Sequence, residues 1–346
     1  MAYHFRNLVF EGGGVKGIAY VGAMEVLAKK GILKNVLRAG GTSAGAINAL
    51  LLGLNFSPAE TKEILALLDF RSFLDDSWGI ARDTTRLIQE FGWYKGDYFR
   101  DWVGRLVKEK TGNPNATFND VHGRKQKRGF RDMYFIGTNL STRFAEVFSY
   151  EHTPRMCVAD AVRISMSIPL FFASKRSQRG DVYVDGGVLD NYPVKLFDRA
   201  KYLEKTRAKR DVMVPEYYRT HNQRLKTEGK EISPYVYNKQ TLGFRLDAAK
   251  EIAVFRDQAE PEHRLIEDFF SYAWALVETV MESQASMHLH SDDWQRTIYV
   301  DTLGVKTTEF DLSDAQKEAL VESGRVNTEK YFAWYDNPKS RPVNRP

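Results

Sequence analysis

Several features that would assign a protein to a familiar class are scarce or missing from this sequence. Cys157 is the only cysteine, which excludes an internal disulfide and a cysteine-rich zinc site. The amino-terminal residues contain no basic stretch followed by an apolar one, so we expect no secretory signal. The longest apolar runs, such as AINALLLGL, are too short to cross a bilayer. These absences favour a soluble protein, which we expect in the cytoplasm.

The charge of the chain excludes little. The formal net charge is +5 over 346 residues, and basic residues gather at 123–131 and between 199 and 230. Neither stretch resembles a recognition helix or an RNA-binding aromatic motif, so we expect no nucleic-acid partner. A mild basic excess suits an anionic surface such as phospholipid headgroups, and it equally suits an ordinary solvated surface.

Short apolar runs alternate with segments of helical periodicity, which predicts an α/β fold with helices on both faces of a sheet. The predicted strands cover residues 7–10, 36–39, 133–140, 145–150, 181–187 and 296–301. The predicted helices include residues 15–30, 44–54, 158–166 and 264–287. Two further helices begin at the capping boxes of Ser57 with Glu60 and of Ser313 with Gln316. We expect one domain over 1–346, with a helical aromatic-rich segment at about 70–112 and a polar, irregular insertion at about 199–234.

A glycine-rich loop follows the first predicted strand. Gly12, Gly14 and Gly17 satisfy G-x-G-x-x-G, the fingerprint of dinucleotide-binding folds. That fingerprint needs an acidic residue at the end of the second strand to hold a ribose hydroxyl, and RAGGTSAG offers none there. A phosphate-binding P-loop fails because no Gly-Lys-Ser/Thr closes the loop. A dinucleotide-binding oxidoreductase module therefore stays only as an alternative.

The pentapeptide GTSAG occupies the place where that acid would stand. Gly41, Ser43 and Gly45 form G-x-S-x-G, in which the glycines let strand and helix pack closely and the serine hydroxyl projects above the sheet. An apolar helix follows at once, so Ser43 lies at a helix amino terminus, which favours a developing anion. The bare amides of Gly12, Gly13 and Gly14 are suited to an oxyanion hole. Lys16 could add positive charge there or be a solvated surface lysine.

The nucleophile would need a base. No histidine stands out, and the i, i+2 spacing of His288 and His290 does not place both on one helical face, which disfavours a metal site. Asp185 in YVDGG ends a predicted strand, where α/β folds place their sites, and Gly186 and Gly187 allow a tight turn that aims its carboxylate. An ordinary Asp-Gly turn without chemistry is the competing interpretation.

Three motifs together resemble the patatin-like phospholipase family, particularly its bacterial members. EGGGVKGIAYVGAMEVL, GGTSAGAINALLLGL and YVDGGVLDNYP match its glycine-rich loop, serine elbow and D-G-[GA] motif, in that order. The resemblance implies a three-layer α/β/α sandwich with a mostly parallel central sheet. It implies a Ser-Asp dyad of Ser43 and Asp185, an oxyanion hole of Gly12, Gly13 and Gly14, and hydrolysis of lipid acyl esters, mostly phospholipids and galactolipids, with no metal or other cofactor.

The resemblance leaves the setting of the activity open. We expect a phospholipid or other acyl-lipid substrate and peripheral contact with a membrane surface. An activating nucleotide or protein partner stays open, as does the choice between a cytoplasmic enzyme and a translocated effector. A catalytically silent relative that binds a membrane or a partner is the remaining alternative.

Overall fold

A central sheet carries the fold. The computed structural model describes residues 3–68, 91–177, 179–203, 212–214, 216–247, 265–267, 269–283, 292–307, 309–337 and 339. Its strands are β1 (Asn7–Phe10), β2 (Arg38–Gly41), β3 (Gly92–Tyr94), β4 (Asp132–Asn139), β5 (Phe144–Ser149), β6 (Leu170–Phe172), β7 (Lys175–Arg176), β8 (Val182–Asp185), β9 (Val212–Met213), β10 (Tyr237–Asn238), β11 (Thr241–Asp247) and β12 (Thr297–Asp301).

The α-helices are α1 (Tyr20–Lys29), α2 (Ala44–Gly53), α3 (Pro58–Ala66), α4 (Asp97–Thr111), α5 (Phe118–Gly123), α6 (Lys125–Arg128), α7 (Val158–Ser165), α8 (Glu216–Thr227), α9 (Phe269–Ser283) and α10 (Asp314–Asp336). Short 3₁₀ segments include Gly14–Ala19, Gly186–Val188, Val194–Phe197, Ala200–Tyr202 and Asp292–Arg296. None of the described helices is both long enough and apolar enough to cross a membrane.

The sheet is mixed but mostly parallel, as the sequence predicts. Its order is β12-β11-β1-β2-β4-β8-β7, with β5 paired to the other side of β4. The five strands from β12 to β4 run parallel, whereas β5 and β8 run antiparallel to β4. Parallel strands need cover on both faces; among the described residues, α1 and α2 lie on one face and the 3₁₀ segments Val194–Phe197 and Ala200–Tyr202 lie on the other.

The two faces of the sheet are covered differently. Leu8 and Phe10 of β1 join the large apolar cluster beneath α1 and α2, whereas Val9 points to the opposite face and packs with Phe197 and Tyr202. On that second face a Cβ added at Gly40 of β2 would lie 2.6 Å from Leu196 Cδ2. Because Gly40 has no side chain, the segment 189–202 can lie directly on the strands.

Most predicted elements are confirmed, with shifts where glycine or polarity misleads. The strand predicted at 36–39 is observed two residues later, because the glycines of β2 pair between β1 and β4. In the aromatic-rich segment, residues 69–90 lie outside the described residues; the rest contains the strand β3, which pairs with β6, and the helix α4. The insertion predicted as irregular contains the polar helix α8.

Candidate active site

Ser43 lies at the turn from β2 into α2 and is almost fully buried. Its backbone has φ 53° and ψ −125°, a strained conformation for a residue with a side chain. The two glycines of the elbow make this turn sterically feasible: a Cβ on Gly41 would lie 2.4 Å from the Gly45 carbonyl carbon, and one on Gly45 would lie 2.2 Å from the Phe10 oxygen. The predicted roles of Gly41 and Gly45 in close strand-to-helix packing agree with this geometry.

Asp185 comes beside Ser43 because two strands share one side of β4. Strand β2 ends with Gly41 paired to Phe135, and β8 ends with Asp185 paired to Gly137, two residues further along β4. Strand β5 occupies the other side of β4 along this whole stretch, so β2 and β8 must meet on the same side. The carboxyl ends of β2 and β8 therefore approach each other from opposite directions, which brings Ser43, two residues past Gly41, near Asp185.

The Asp185 carboxylate is buried and only partly satisfied. Gly187 donates its amide to Oδ1 at 2.7 Å, whereas Oδ2 makes no hydrogen bond with the described residues. Burial raises the pKa of Asp185 to about 7, and the Gly187 amide and the nearby Ser43 hydroxyl act against that rise. A carboxylate with an oxygen that accepts no hydrogen bond and with a pKa near neutrality is chemically suited to accept a proton.

The glycines after Asp185 fit the tight turn expected of them. A Cβ on Gly186 would lie 2.4 Å from the Ile136 oxygen, and one on Gly187 would lie 2.6 Å from Met281 Cε and 3.1 Å from Asp185 Oδ1. Any larger residue at either position would displace the carboxylate from the elbow.

The glycine-rich loop faces the serine, but its three glycines are not equivalent. A Cβ on Gly12 would lie 3.0 Å from Ser43 Cβ, so the loop runs directly past the elbow. Gly12 donates its own amide to the Asn191 carbonyl at 3.1 Å, which corrects its expected place among the oxyanion donors. The amides of Gly13 and Gly14 make no hydrogen bond within the described part of the chain, so they remain available to an anion.

The two other loop residues singled out in the sequence take different positions. A Cβ on Gly17 would lie 3.0 Å from Ala44 Cβ, and Asn48 donates to the Gly17 carbonyl at 3.2 Å, so Gly17 lets the 3₁₀ turn pack on α2. Lys16 is partly buried, and its charge acts to lower the pKa of Glu11, the residue before the glycines.

Three residues that the sequence did not single out hold the serine and aspartate in place. Ser43 donates its amide to Ser165 Oγ at 3.1 Å and its hydroxyl to Met166 Sδ at 3.4 Å. Asp185 donates its amide to the Ser167 carbonyl at 2.8 Å. The available signal was the pair of serines in ISMSIPLFF, which interrupt an apolar run at the end of α7 shortly before the Asp185 motif.

A buried charge network lies behind the loop. Glu11 accepts the Leu246 amide at 2.7 Å and lies 3.6 Å from Arg245 Nε, and Arg245 in turn binds Asp247 at 2.7 Å. Burial raises the pKa of Glu11, while Arg245 acts to lower it. Since Gly13 packs against Leu246, this network fixes the strand end on which the loop rests.

The histidines give no support to a histidine base. Within the part of the chain that the structure describes, no histidine hydrogen-bonds Ser43 or Asp185; His122 binds Asp132 and His152 contacts Ser149. His288 and His290, whose spacing disfavours a metal site, lie outside the described residues.

This chain is similar to a known family and to several known proteins. A family model described as patatin-like phospholipase matches residues 8–198. The uncharacterized protein YqhO of Bacillus subtilis is 30% identical over 339 residues, which cover 94% of this chain and 97% of that protein. A probable lipid hydrolase of Invertebrate iridescent virus 6 is 25% identical over 226 residues, covering 64% of this chain and 73% of that protein.

Two further matches concern length and fold. An uncharacterized protein of Acanthamoeba polyphaga mimivirus is 31% identical over 194 residues, which cover 56% of this chain and 61% of that protein, so this chain spans less than two thirds of it. The crystal structure of VipD from Legionella pneumophila superposes with a TM-score of 0.60 at 18% identity, over 96% of this chain and 67% of that one. The similarity to VipD shows a shared fold.

Proposed function

This chain belongs to the patatin-like phospholipase family, and from that premise we propose that it cleaves fatty acyl esters of phospholipids through an acyl-enzyme on Ser43, with Asp185 as the only base. The family is one of lipid hydrolases, and the finer assignment is our own. The observation that supports it best is the convergence of a strained, buried serine with a buried carboxylate whose Oδ2 is vacant among the described residues. We further propose that residues 1–346 form one catalytic domain.

The proposed reaction uses the dyad twice. Ser43 Oγ attacks the acyl carbonyl carbon while its proton passes to Asp185, and the carbonyl electrons move to the oxygen. The amides of Gly13 and Gly14, with the amino terminus of α2, stabilise that oxyanion; each such donor contributes about 2.7–4 kcal/mol in other hydrolases. Collapse of the intermediate breaks the ester bond, and the departing alcohol takes the proton from Asp185.

Deacylation repeats these steps with water. Asp185 takes a proton from a water molecule, whose oxygen attacks the acyl-enzyme carbonyl, and the second oxyanion forms at the same amides. Collapse releases the fatty acid and returns the proton to Ser43 Oγ. A buried Asp185 with a pKa of about 7 is a stronger base than an exposed aspartate, which compensates for the absence of a histidine from the proposed dyad.

The first experiment labels the nucleophile. A fluorophosphonate probe should label the wild-type chain and fail to label Ser43→Ala, because the probe phosphorylates an activated serine hydroxyl. Release of fatty acid from phosphatidylcholine vesicles should fall by about 10⁴-fold or more in the same variant. Equal labelling of both proteins would contradict the nucleophile assignment.

A second variant pair tests the base. Asp185→Asn should lower hydrolysis by about 10²–10⁴-fold, the usual contribution of a general base. Asp181→Asn is the matched control, because Asp181 lies four residues earlier and its carboxylate makes no hydrogen bond within the described residues. A similar loss in both variants would show that the effect does not come from proton transfer at Asp185.

A further inference from the structure

A cavity separate from the serine elbow opens on the second face of the sheet. It has a volume of about 510 Å³ and lies between the segment 189–202, the end of β5 and Tyr235. Cavities of this size suit small-molecule ligands. Its lining includes three cationic side chains, Lys195, Arg199 and Lys201, and a single carboxylate, Asp190.

The three cations differ in how far they are already neutralised. Lys201 forms an ion pair with Glu151, whose carboxylate also accepts hydrogen bonds from Tyr134 and Tyr202. Lys195 lies 3.9 Å from Asp293 and is largely exposed at the rim. Arg199 forms no ion pair within the described part of the chain, so its charge is the one left for a ligand.

Arg199 is also held in position before any ligand arrives. Its guanidinium lies 4.5 Å from the centre of the Tyr235 ring and donates to the Tyr235 hydroxyl at 2.9 Å. The backbones of the two residues form an antiparallel bridge, and Ala200 donates to the Pro234 carbonyl at 2.8 Å. A rigid, unpaired arginine in a concave site is the usual arrangement for binding a phosphate or carboxylate.

Asp190 adds a second requirement. Asp190 is one of the residues that line the cavity, and its side chain makes no hydrogen bond within the described residues. Burial raises the pKa of its carboxyl to about 6 against the opposing charge of Lys195. Above that pH the carboxylate accepts hydrogen bonds only, so a complementary ligand brings hydroxyl donors to it. A ligand must therefore present an anion to Arg199 and hydroxyl groups to Asp190.

We propose that this cavity binds the phosphate ester of a hydroxylated compound, with the phosphate on Arg199 and hydroxyl groups on Asp190. That chemistry is shared by a free sugar phosphate and by the headgroup of an inositol lipid. This cavity lies outside the proposed catalytic dyad, and ligand binding in it does not depend on hydrolysis.

The cavity is physically connected to the elbow through the backbone of its own lining. Thr42, next to the proposed nucleophile, donates its hydroxyl to the Asp190 carbonyl at 2.8 Å, and Gly12 donates to the neighbouring Asn191 carbonyl. A ligand that holds the Asp190 side chain therefore also restrains the segment that contacts the elbow and the glycine loop.

Calorimetric titration of the full chain tests the proposal with defined probes. Glucose 6-phosphate should bind, glucose should not, and inorganic phosphate should bind more weakly because it offers no sugar hydroxyls to Asp190. Arg199→Gln should weaken binding at least tenfold, whereas Arg128→Gln, the same change at an exposed arginine outside the cavity, should leave it unchanged. Lys195→Gln, at an exposed side chain, provides a second weakening variant whose folding is not at risk.

Further experiments distinguish the two ligand sources and keep this proposal independent of the proposed hydrolase activity. Ser43→Ala should bind the probes as tightly as the wild type, so a failed hydrolase proposal would leave this one intact. Flotation of Ser43→Ala with phosphatidylinositol vesicles but not with phosphatidylcholine vesicles would identify the lipid headgroup as the source; binding of glucose 6-phosphate without such flotation would identify a free phosphate ester. Binding of none of the phosphate probes, equal binding of glucose and glucose 6-phosphate, or equal loss in Arg199→Gln and Arg128→Gln would overturn the proposal.

Discussion

Burial of the Asp185 carboxyl sets how the proposed reaction should respond to pH. The base must be ionised to accept the serine proton, and burial raises its pKa to about 7. We therefore expect kcat/KM for a soluble ester such as p-nitrophenyl butyrate to rise as the pH increases through about 7 and to level off above it. A profile that stays flat down to pH 5 would contradict this role, because an ordinary aspartate would titrate near 4.

The same burial should lower the stability of the folded chain. The folded carboxyl has a pKa of about 7 and the unfolded one about 3.8, so the folded state binds the proton more tightly. Stability is consequently lost as the pH rises between these two values, by about 4 kcal/mol at most for a shift of some three units. Asp185→Asn should thus be more stable than the wild type at pH 8 but not at pH 4, measured by denaturant unfolding. Asp181→Asn should show no such difference between the two pH values.

Ser165 is expected to preserve the strained elbow. Its hydroxyl accepts the amide of Ser43, which otherwise has no partner at a buried turn. Ser165→Ala should lower stability by about 1–3 kcal/mol and reduce kcat more than it raises KM, because the nucleophile loses its alignment. Ser141→Ala is the control, since Ser141 also accepts a backbone amide but is exposed, so water can replace it. Equal effects in the two variants would remove the special role of Ser165.

The sequence motifs indicate candidate site residues better than they indicate the hydrogen-bond partners of those residues. Ser43, Asp185 and the glycines followed from local motifs. The engagement of the Gly12 amide could not be foreseen, because its acceptor Asn191 is distant along the chain and becomes a neighbour only when the sheet forms. Ser165 was missed for the same reason, since its hydroxyl reaches the elbow across the fold.

Among the elements, α1 and α10 pack more closely than ordinary side chains allow. A Cβ on Gly22 would lie 1.9 Å from the Val321 oxygen, and one on Gly324 would lie 1.9 Å from the Ala19 oxygen. Gly324→Ala should therefore destabilise the protein by at least about 1–3 kcal/mol, seen as a lower midpoint of thermal unfolding. Gly123→Ala should be neutral or slightly stabilising, because nothing lies within 4 Å of its added Cβ at the end of α5. A stable Gly324→Ala would show that the two helices separate easily.

Helix starts were predictable where capping residues mark them. The boxes of Ser57 with Glu60 and of Ser313 with Gln316 are confirmed. The box of Thr117 with Asp120 was missed because aspartate replaces the usual Glu or Gln. Helix α8 was missed because its sequence is mostly polar and offers few apolar residues from which a helical face could be recognised.

The central sheet includes strands that lie well beyond the region that the family model matches. Strand β11 pairs along the full length of β1, and β12 pairs with β11, although both follow residue 198. A chain ending at residue 198 would leave β1, which leads into the glycine loop, with β2 but without its other neighbour, β11. We expect that fragment to lack a cooperative unfolding transition and fluorophosphonate labelling, whereas a chain ending at residue 337 keeps both. A folded, labelled short fragment would contradict this dependence.

The sequence indicated the α/β class of the molecule, but not how closely the segment 189–202 covers the second face of the sheet. That cover depends on Gly40 and Gly243, where a Cβ would collide with Leu196 and Tyr192. Contacts of this kind arise only between distant segments, which local periodicity does not register.

The meeting of β2 and β8 along β4 has a consequence for how such an enzyme can change. The offset between the ends of β2 and β8 is counted in whole residues of β4: two residues, about 6–7 Å, separate the partner of Gly41 from the partner of Asp185. A shift of β8 by one position would turn the Asp185 side chain to the far face instead of moving it slightly. Substitutions around the carboxyl can therefore change its environment gradually, whereas any change of strand register would remove the carboxyl from the serine altogether.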